Sequence, residues 1–202
     1  VVTRSSSREL HAAERTVNQP AKLYGAYMEE YTAEKTLVPT ELPVTLRPLV
    51  YTYMIRYEFE SGQQYVALAR GALEVMAETV YLNDGHTGEN AASDLFDCTL
   101  EDYGAEALVQ SFGVPDYPGE HYGRGDTDGR RYSLNLEVRM VNGKFKTFEF
   151  DVTDQVKGQP RGGVIVVSGL SISDDEGLEG GGSFDVDVDG WGEWVDIPLP
   201  LD

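Results

Sequence analysis

Residues 132–152 read YSLNLEVRMVNGKFKTFEFDV and contain the clearest fold signal in the chain. Over residues 132–140 apolar and polar side chains alternate, which is the period-two pattern of a β-strand with one buried face. Asn142 and Gly143 then predict a two-residue hairpin turn, because both tolerate the positive φ that such a turn requires. Residues 145–152 form the predicted return strand. The stretch therefore predicts an antiparallel hairpin.

Four more strands are predicted outside this hairpin. Residues 49–59 alternate over a long run, with apolar side chains on one face at Tyr51, Tyr53, Ile55, Tyr57 and Phe59. Residues 94–101 and 107–114 are shorter candidates. Residues 164–172 begin with four consecutive apolar positions, which predicts a strand buried on both faces.

One stretch allows two interpretations. Residues 65–82 have a helical composition, yet they also fit period two, and Gly71 lies in the middle of the run. Counted as strands, they bring the total to about seven, and an all-β, antiparallel β-sandwich follows. The expected organisation is a linker and N-terminal extension with short contacts onto the body at 1–45, the sandwich at 46–173, and an acidic glycine-rich spacer with a C-terminal strand at 174–202.

The charge balance excludes two classes of partner. The 202 residues include 35 Asp and Glu against 16 Lys and Arg, a net charge of −19. Such a chain repels phosphate backbones and anionic lipid, so we expect no nucleic-acid binding and no direct membrane insertion. The single cysteine, Cys98, alternates with apolar residues and is interpreted as a buried, unreactive thiol.

The C-terminal tail carries the main functional signal. In residues 184–189 every second residue is apolar and every other one is an aspartate. A lone strand of this kind is unstable in water and needs a sheet edge to pair with. We therefore predict an assembly strand whose side chains fill a receiving groove: Phe184, Val186, Val188 and Trp191.

Two weaker signals support an alternative, a carbohydrate- or calcium-binding module. Asp185, Asp187 and Asp189 precede Gly190 at the spacing of a calcium loop, although the flanking residues are not helical. Arg124, Gly125 and Asp126 form a tripeptide typical of integrin ligands, within a glycine-rich loop. The first set is a candidate metal site and the second a candidate adhesion loop.

No motif for catalysis is present in the sequence. His11, His86 and His121 are far apart, and no zinc-type histidine spacing, Gly-x-Ser-x-Gly elbow or phosphate loop occurs. We expect no enzymatic activity and no cofactor.

Three stretches together resemble a known family: residues 49–82, residues 148–166 and residues 184–193. The family is that of the fimbrillins and fimbrillin-associated anchors, cell-surface lipoproteins of the Bacteroidales. The resemblance covers about residues 45–195 of the sequence, and it is one of pattern more than of a sharp motif.

The resemblance implies transthyretin-like sandwiches, two per family member, with strands at residues 65–82. It implies that this chain is the second domain of its precursor, without the N-terminal domain and its lipidated cysteine. The implied location is extracytoplasmic, at the outer-membrane surface. The implied partners are fimbrial subunits or other surface proteins, and the implied role is a fimbrial anchor or structural and adhesion protein that assembles by β-strand addition.

Overall fold

The computed structural model describes residues 2–3, 6–11, 14–33, 35, 39, 41–118 and 129–178, with side chains described from Thr16 onward. Within these residues the chain is mostly β-structure. Its strands, numbered in chain order, are Val2–Thr3 (β1), Ser6–His11 (β2), Glu14–Val17 (β3), Tyr24–Gly25 (β4), Arg47–Pro48 (β5), Tyr51–Ser61 (β6), Val66–Ala77 (β7), Thr79–Val80 (β8), Ala91–Asp97 (β9), Thr99–Glu101 (β10), Gly104–Ser111 (β11), Ser133–Met140 (β12), Phe145–Asp151 (β13) and Gly163–Ser171 (β14). Two short helices, Thr153–Gly158 (α1) and Asp174–Leu178 (α2), follow β13 and β14.

The strands form two main sheets packed face to face. One has the order β10-β11-β6-β14, and the other has the order β13-β12-β7-β9-β3-β2. The predicted all-β sandwich is confirmed. Most neighbours are antiparallel, but β14 pairs parallel with β6 and β3 pairs parallel with β9.

The core lies between the sheets and follows the alternation of the sequence. Tyr53, Ile55 and Tyr57 of β6 are fully buried, as are Leu134 and Leu136 of β12. The Tyr57 hydroxyl donates to the Asn135 carbonyl oxygen across the core at 3.0 Å, so the polar end of this buried ring is satisfied. Burial raises the pKa of Tyr57 well above its ordinary value, which keeps the phenol protonated as a donor.

The ambiguous stretch forms strand β7 and contains a β-bulge. Its pairing with β9 shifts between Leu73 and Met76, and Val75 has a φ of 63°. The extra residue turns both Leu73 and Met76 toward the core, where each is fully buried. The stretch is therefore a strand despite its helical composition.

The prediction that β14 is buried on both faces is wrong. β14 is an edge strand with one inward face, on which Ile165 is fully buried. On the other face Val164 is 49 % and Val166 is 38 % exposed. Apolar residues on the solvent side of an edge strand produced the continuous apolar run.

The predicted hairpin exists, but its turn is different. The loop has three residues, Val141 to Gly143, because Gly143 N donates to Met140 O at 2.9 Å and Met140 N donates to Lys144 O at 2.8 Å. Gly143 has a φ of 85°, whereas Asn142 is not among the described non-glycine residues with positive φ. This is a type I turn followed by a left-handed glycine, the usual three-residue hairpin loop.

The chain crosses between the sheets at Cys98. Residues 94–101, predicted as one strand, are divided between β9 of the larger sheet and β10 of the smaller one. At the N-terminus, β3 adds Thr16 and Val17 to the larger sheet, and both are buried. Gln19 then connects the sheets, donating to Leu95 O at 3.3 Å and accepting from Gln110 N at 2.9 Å.

Candidate functional site

The residues predicted for function lie outside the described part of the chain. This holds for the assembly strand (Phe184, Val186, Val188, Trp191), the calcium candidates (Asp185, Asp187, Asp189) and the loop residues Arg124, Gly125 and Asp126. They stay predictions. What the described residues do contain is the set of sheet edges that an assembly strand would need.

The edge strand β13 has a row of main-chain groups that no other strand of the described residues pairs with. Lys144 O accepts from Met140 N, and Val152 N donates to Tyr132 O, so the hydrogen-bonded positions of the hairpin are the even-numbered ones. The odd-numbered positions therefore direct their N–H and C=O groups away from β12. We call the main-chain groups of Phe145, Thr147 and Glu149 the open edge, since no other described strand pairs with β13.

The open edge is longer and more regular than the edges at β10 and β2. β13 has seven residues and pairs with β12 without a register shift. β10 has only three residues, and the pairing of β2 with β3 contains two irregularities. Short and bulged edges resist the addition of a further strand, whereas a regular one permits it.

Aromatic side chains line the inner side of β13. Phe148 and Phe150 are partly buried and stack with their ring centroids 6.5 Å apart. Phe148 meets Phe59 edge to face at 5.9 Å, and Phe150 lies 6.4 Å from Tyr57. A strand added beside β13 would extend this apolar row with its own alternate side chains.

Helix α2 brings the chain back to the beginning of the open edge. Lys146 Nζ donates to both Glu176 carboxylate oxygens, at 2.7 and 2.9 Å, and to Ser171 O at 3.0 Å. Asn142 Nδ2 donates to Glu176 O at 2.7 Å. The Lys146 ammonium, together with the Ser173 N–H and hydroxyl, lowers the pKa of Glu176 to about 2.

A groove lies where α2 meets the hairpin. It encloses about 250 Å³ and is lined by Met140, Lys144, Phe145, Lys146, Asp175 and Glu176. Gly177 passes directly over the Tyr65 ring, since a Cβ there would lie 2.3 Å from ring carbons. The last described residues are thus fixed beside Phe145, and the tail follows from that point.

The edge of β14 is covered by two glutamine side chains. The Gln155 amide donates to Val166 O at 3.0 Å and accepts from Val166 N at 2.9 Å. The Gln159 amide donates to Val164 O at 2.9 Å and accepts from Val164 N at 2.7 Å. We call these two side-chain amides the amide cover.

Sequence reasoning missed the amide cover. The only signal available was a pair of glutamines four residues apart ahead of a glycine-led strand. That spacing fits one face of a helix, but nothing in it indicates a strand edge as the partner.

The described residues offer little for chemistry. No group of three or more metal-binding side chains occurs among them, and their helices are too short to span a membrane. Burial, with a smaller effect of the Asp97 charge, raises the pKa of Cys98 to about 12, so this thiol stays protonated. Glu74 accepts from Ser133 Oγ and from Asn135 Nδ2, but no histidine joins this cluster in the described hydrogen bonds.

No protein-family model and no curated protein matches this chain. A solved structure, that of a proposed adhesin from Bacteroides ovatus ATCC 8483, is similar with a TM-score of 0.55 and 18% sequence identity. The alignment covers 83% of this chain and 61% of the adhesin, so this chain spans less than two thirds of that protein. At this identity the likeness establishes the fold.

Proposed function

We propose that this chain is a structural, adhesion-type domain of a bacterial cell surface, which assembles by β-strand addition with fimbrial subunits or other surface proteins. The description of the Bacteroides structure as an adhesin supports this class. So does the resemblance of the sequence to fimbrillins and fimbrial anchors. The role requires no catalysis, and the surface location and lipid anchor of that family are part of the proposal.

The open edge of β13 is the observation that carries the proposal. Strand addition draws its affinity from main-chain hydrogen bonds and its register from alternate side chains. Phe145, Thr147 and Glu149 supply the main-chain groups, and Phe148 and Phe150 supply an apolar surface for alternate side chains.

We take the tail, residues 184–189, as the added strand. It is separated from α2 by the five residues 179–183, which extend to at most about 18 Å. β13 is about 23 Å long, from the ordinary rise of a strand. Because α2 is fixed beside Phe145, a spacer of this length lets the tail reach β13 within its own molecule. The tail of a second copy can pair with the same edge.

Amide hydrogen exchange on the full chain tests this pairing. We expect the amides of Thr147 and Glu149 to be protected against exchange. Protection at every concentration means pairing within one molecule, and protection that rises with concentration means pairing between copies. Val188→Asp places a charge on the apolar face of the tail and should remove the protection, whereas the control Asp187→Asn should preserve it.

Fast exchange at the open edge would contradict the proposal. If the amides of Thr147 and Glu149 exchange at the rate of exposed, unbonded amides at all concentrations of the unaltered chain, the tail does not occupy the open edge. The proposal of assembly through β13 is then wrong.

A further inference from the structure

The amide cover matches β14 in spacing and in chemistry. Each carboxamide presents one donor and one acceptor, as a peptide group does. Gln155 lies in α1, and Gln159 follows the helix as its C-cap residue with non-helical backbone. Val164 and Val166 are two residues apart, about 6.6 Å along a strand. The side chains of Gln155 and Gln159 bond to these successive outward-facing residues of the edge strand, and all four bonds measure 2.7–3.0 Å.

Surrounding residues hold the two amides in place. Val156 is fully buried and anchors α1 to the core. The Tyr53 hydroxyl donates to Gln159 O at 2.9 Å, and Gln159 Nε2 also donates to Gln155 O at 3.3 Å. Gly163 leaves space for the Gln159 side chain, because a Cβ there would lie 1.9 Å from Gln159 Oε1. Core packing and hydrogen bonds thus hold both glutamine side chains against β14.

The strand under the cover has the composition of a self-pairing edge. Residues 163–171 read GVIVVSGLS and contain no charged side chain, although the chain as a whole has a net charge of −19. Val164 and Val166 are substantially exposed on the outer face. A valine-rich, uncharged edge strand pairs readily with an identical strand from another molecule, and natural sheets usually prevent this with charges or bulges.

We propose that Gln155 and Gln159 replace a neighbouring strand and close the β14 edge against a second copy of this chain. Without the amide cover, β14 strands of two copies would pair antiparallel across a two-fold axis. The cover thereby makes β14 unavailable for strand addition, in contrast to the open edge of β13. This inference does not depend on what occupies β13.

The test removes the two amides and leaves the fold in place. Q155A/Q159A is prepared both alone and with Val188→Asp, so that association through the tail does not contribute. At concentrations low enough to keep the double variant monomeric, we expect the amides of Val164 and Val166 to exchange about tenfold faster, the effect of losing one hydrogen bond each. We also expect multi-angle light scattering to show a higher mass that rises with concentration. The control Q63A/Q110A, which alters two glutamines that do not bond to β14, should leave both readouts unchanged.

Two further variants make the test specific. Adding Val166→Lys to Q155A/Q159A introduces a charge on the edge and should restore the original mass. Gln155→Ala alone keeps Gln159 and should accelerate exchange at Val166 but not at Val164. The proposal is overturned if folded Q155A/Q159A keeps its original mass and its slow exchange at Val164 and Val166. It is also overturned if the higher mass persists after Val166→Lys.

Discussion

Replacing Gly71 with alanine adds a single carbon atom to the core and so tests how closely the core is packed there. Gly71 lies in β7 beneath the rings of Phe96 and Tyr57. A Cβ at Gly71 would lie 2.2 Å from Phe96 Cε2, 2.3 Å from Phe96 Cζ and 2.7 Å from Tyr57 Oη. Carbon atoms in contact are normally about 3.5–4.0 Å apart, so both rings must move by roughly an ångström.

The expected loss of stability follows from three contributions. Overpacking a filled core costs about 1–3 kcal/mol. Displacing Tyr57 weakens its hydrogen bond to Asn135 O, which contributes about 1 kcal/mol. Alanine is better than glycine inside a strand by about 0.5–1 kcal/mol, which offsets part of the loss. The net prediction for Gly71→Ala is a destabilisation of about 1–3 kcal/mol.

Urea denaturation followed by circular dichroism measures this free energy of unfolding. The matched control is Gly158→Ala, the same chemical change at the end of α1, where a Cβ meets nothing within 4 Å. We expect that variant to be stabilised by about 0.5–1 kcal/mol. In a double-mutant cycle, Phe96→Leu should reduce the cost of Gly71→Ala, because the smaller side chain makes room for the Cβ. If Gly71→Ala is as stable as Gly158→Ala, the close packing over Gly71 is refuted.

Two other groups allow predictions about ionisation. The pKa of Glu176 is lowered to about 2 from 4.5, so its contribution to the docking of α2 is complete above about pH 4.5 and is lost as the pH falls through about 2. Lys146→Met should raise the pKa of Glu176 in a carbon-detected NMR titration, and an unchanged value would contradict the assigned cause. Cys98, with a pKa of about 12, should not react with a thiol reagent at pH 8 in the native chain but should react fully in urea. Equal rates in the two states would show that the thiol is not protected.

Local patterns predicted much of the sandwich from the sequence. β6, β12 and β13 each have one face toward the core and a more exposed face, so their period-two alternation is directly visible. Their predicted ends lie within two residues of those observed. β7 was ambiguous because its composition favours a helix while its alternation fits a strand. Its pairing with β12 and β9, which is a tertiary effect, makes it a strand.

Local sequence patterns could not predict which distant strands pair with each other. The parallel pairing of β14 with β6 joins residues about a hundred positions apart, and no short stretch specifies it. Whether the valines of β14 face solvent or a second sheet depends on that strand order. Likewise, Gln155 and Gln159 cover a strand only when α1 lies along β14. Their role depends on the tertiary structure and could not be predicted from the sequence.

The short connection between β13 and β14 explains why their edges differ. Helix α1 has six residues and joins the end of one edge strand to the beginning of the other. Gln155 in α1 and Gln159 at its C-terminal cap lie on the side facing β14, and a helix of this length cannot cover both strands. Exchange at Thr147 therefore reports on the open edge, and exchange at Val166 reports on the covered one. A substitution that alters the exchange rate only at Val166 acts on the amide cover. A substitution that alters it only at Thr147 acts on the strand paired with β13. One exchange experiment therefore separates the two proposals.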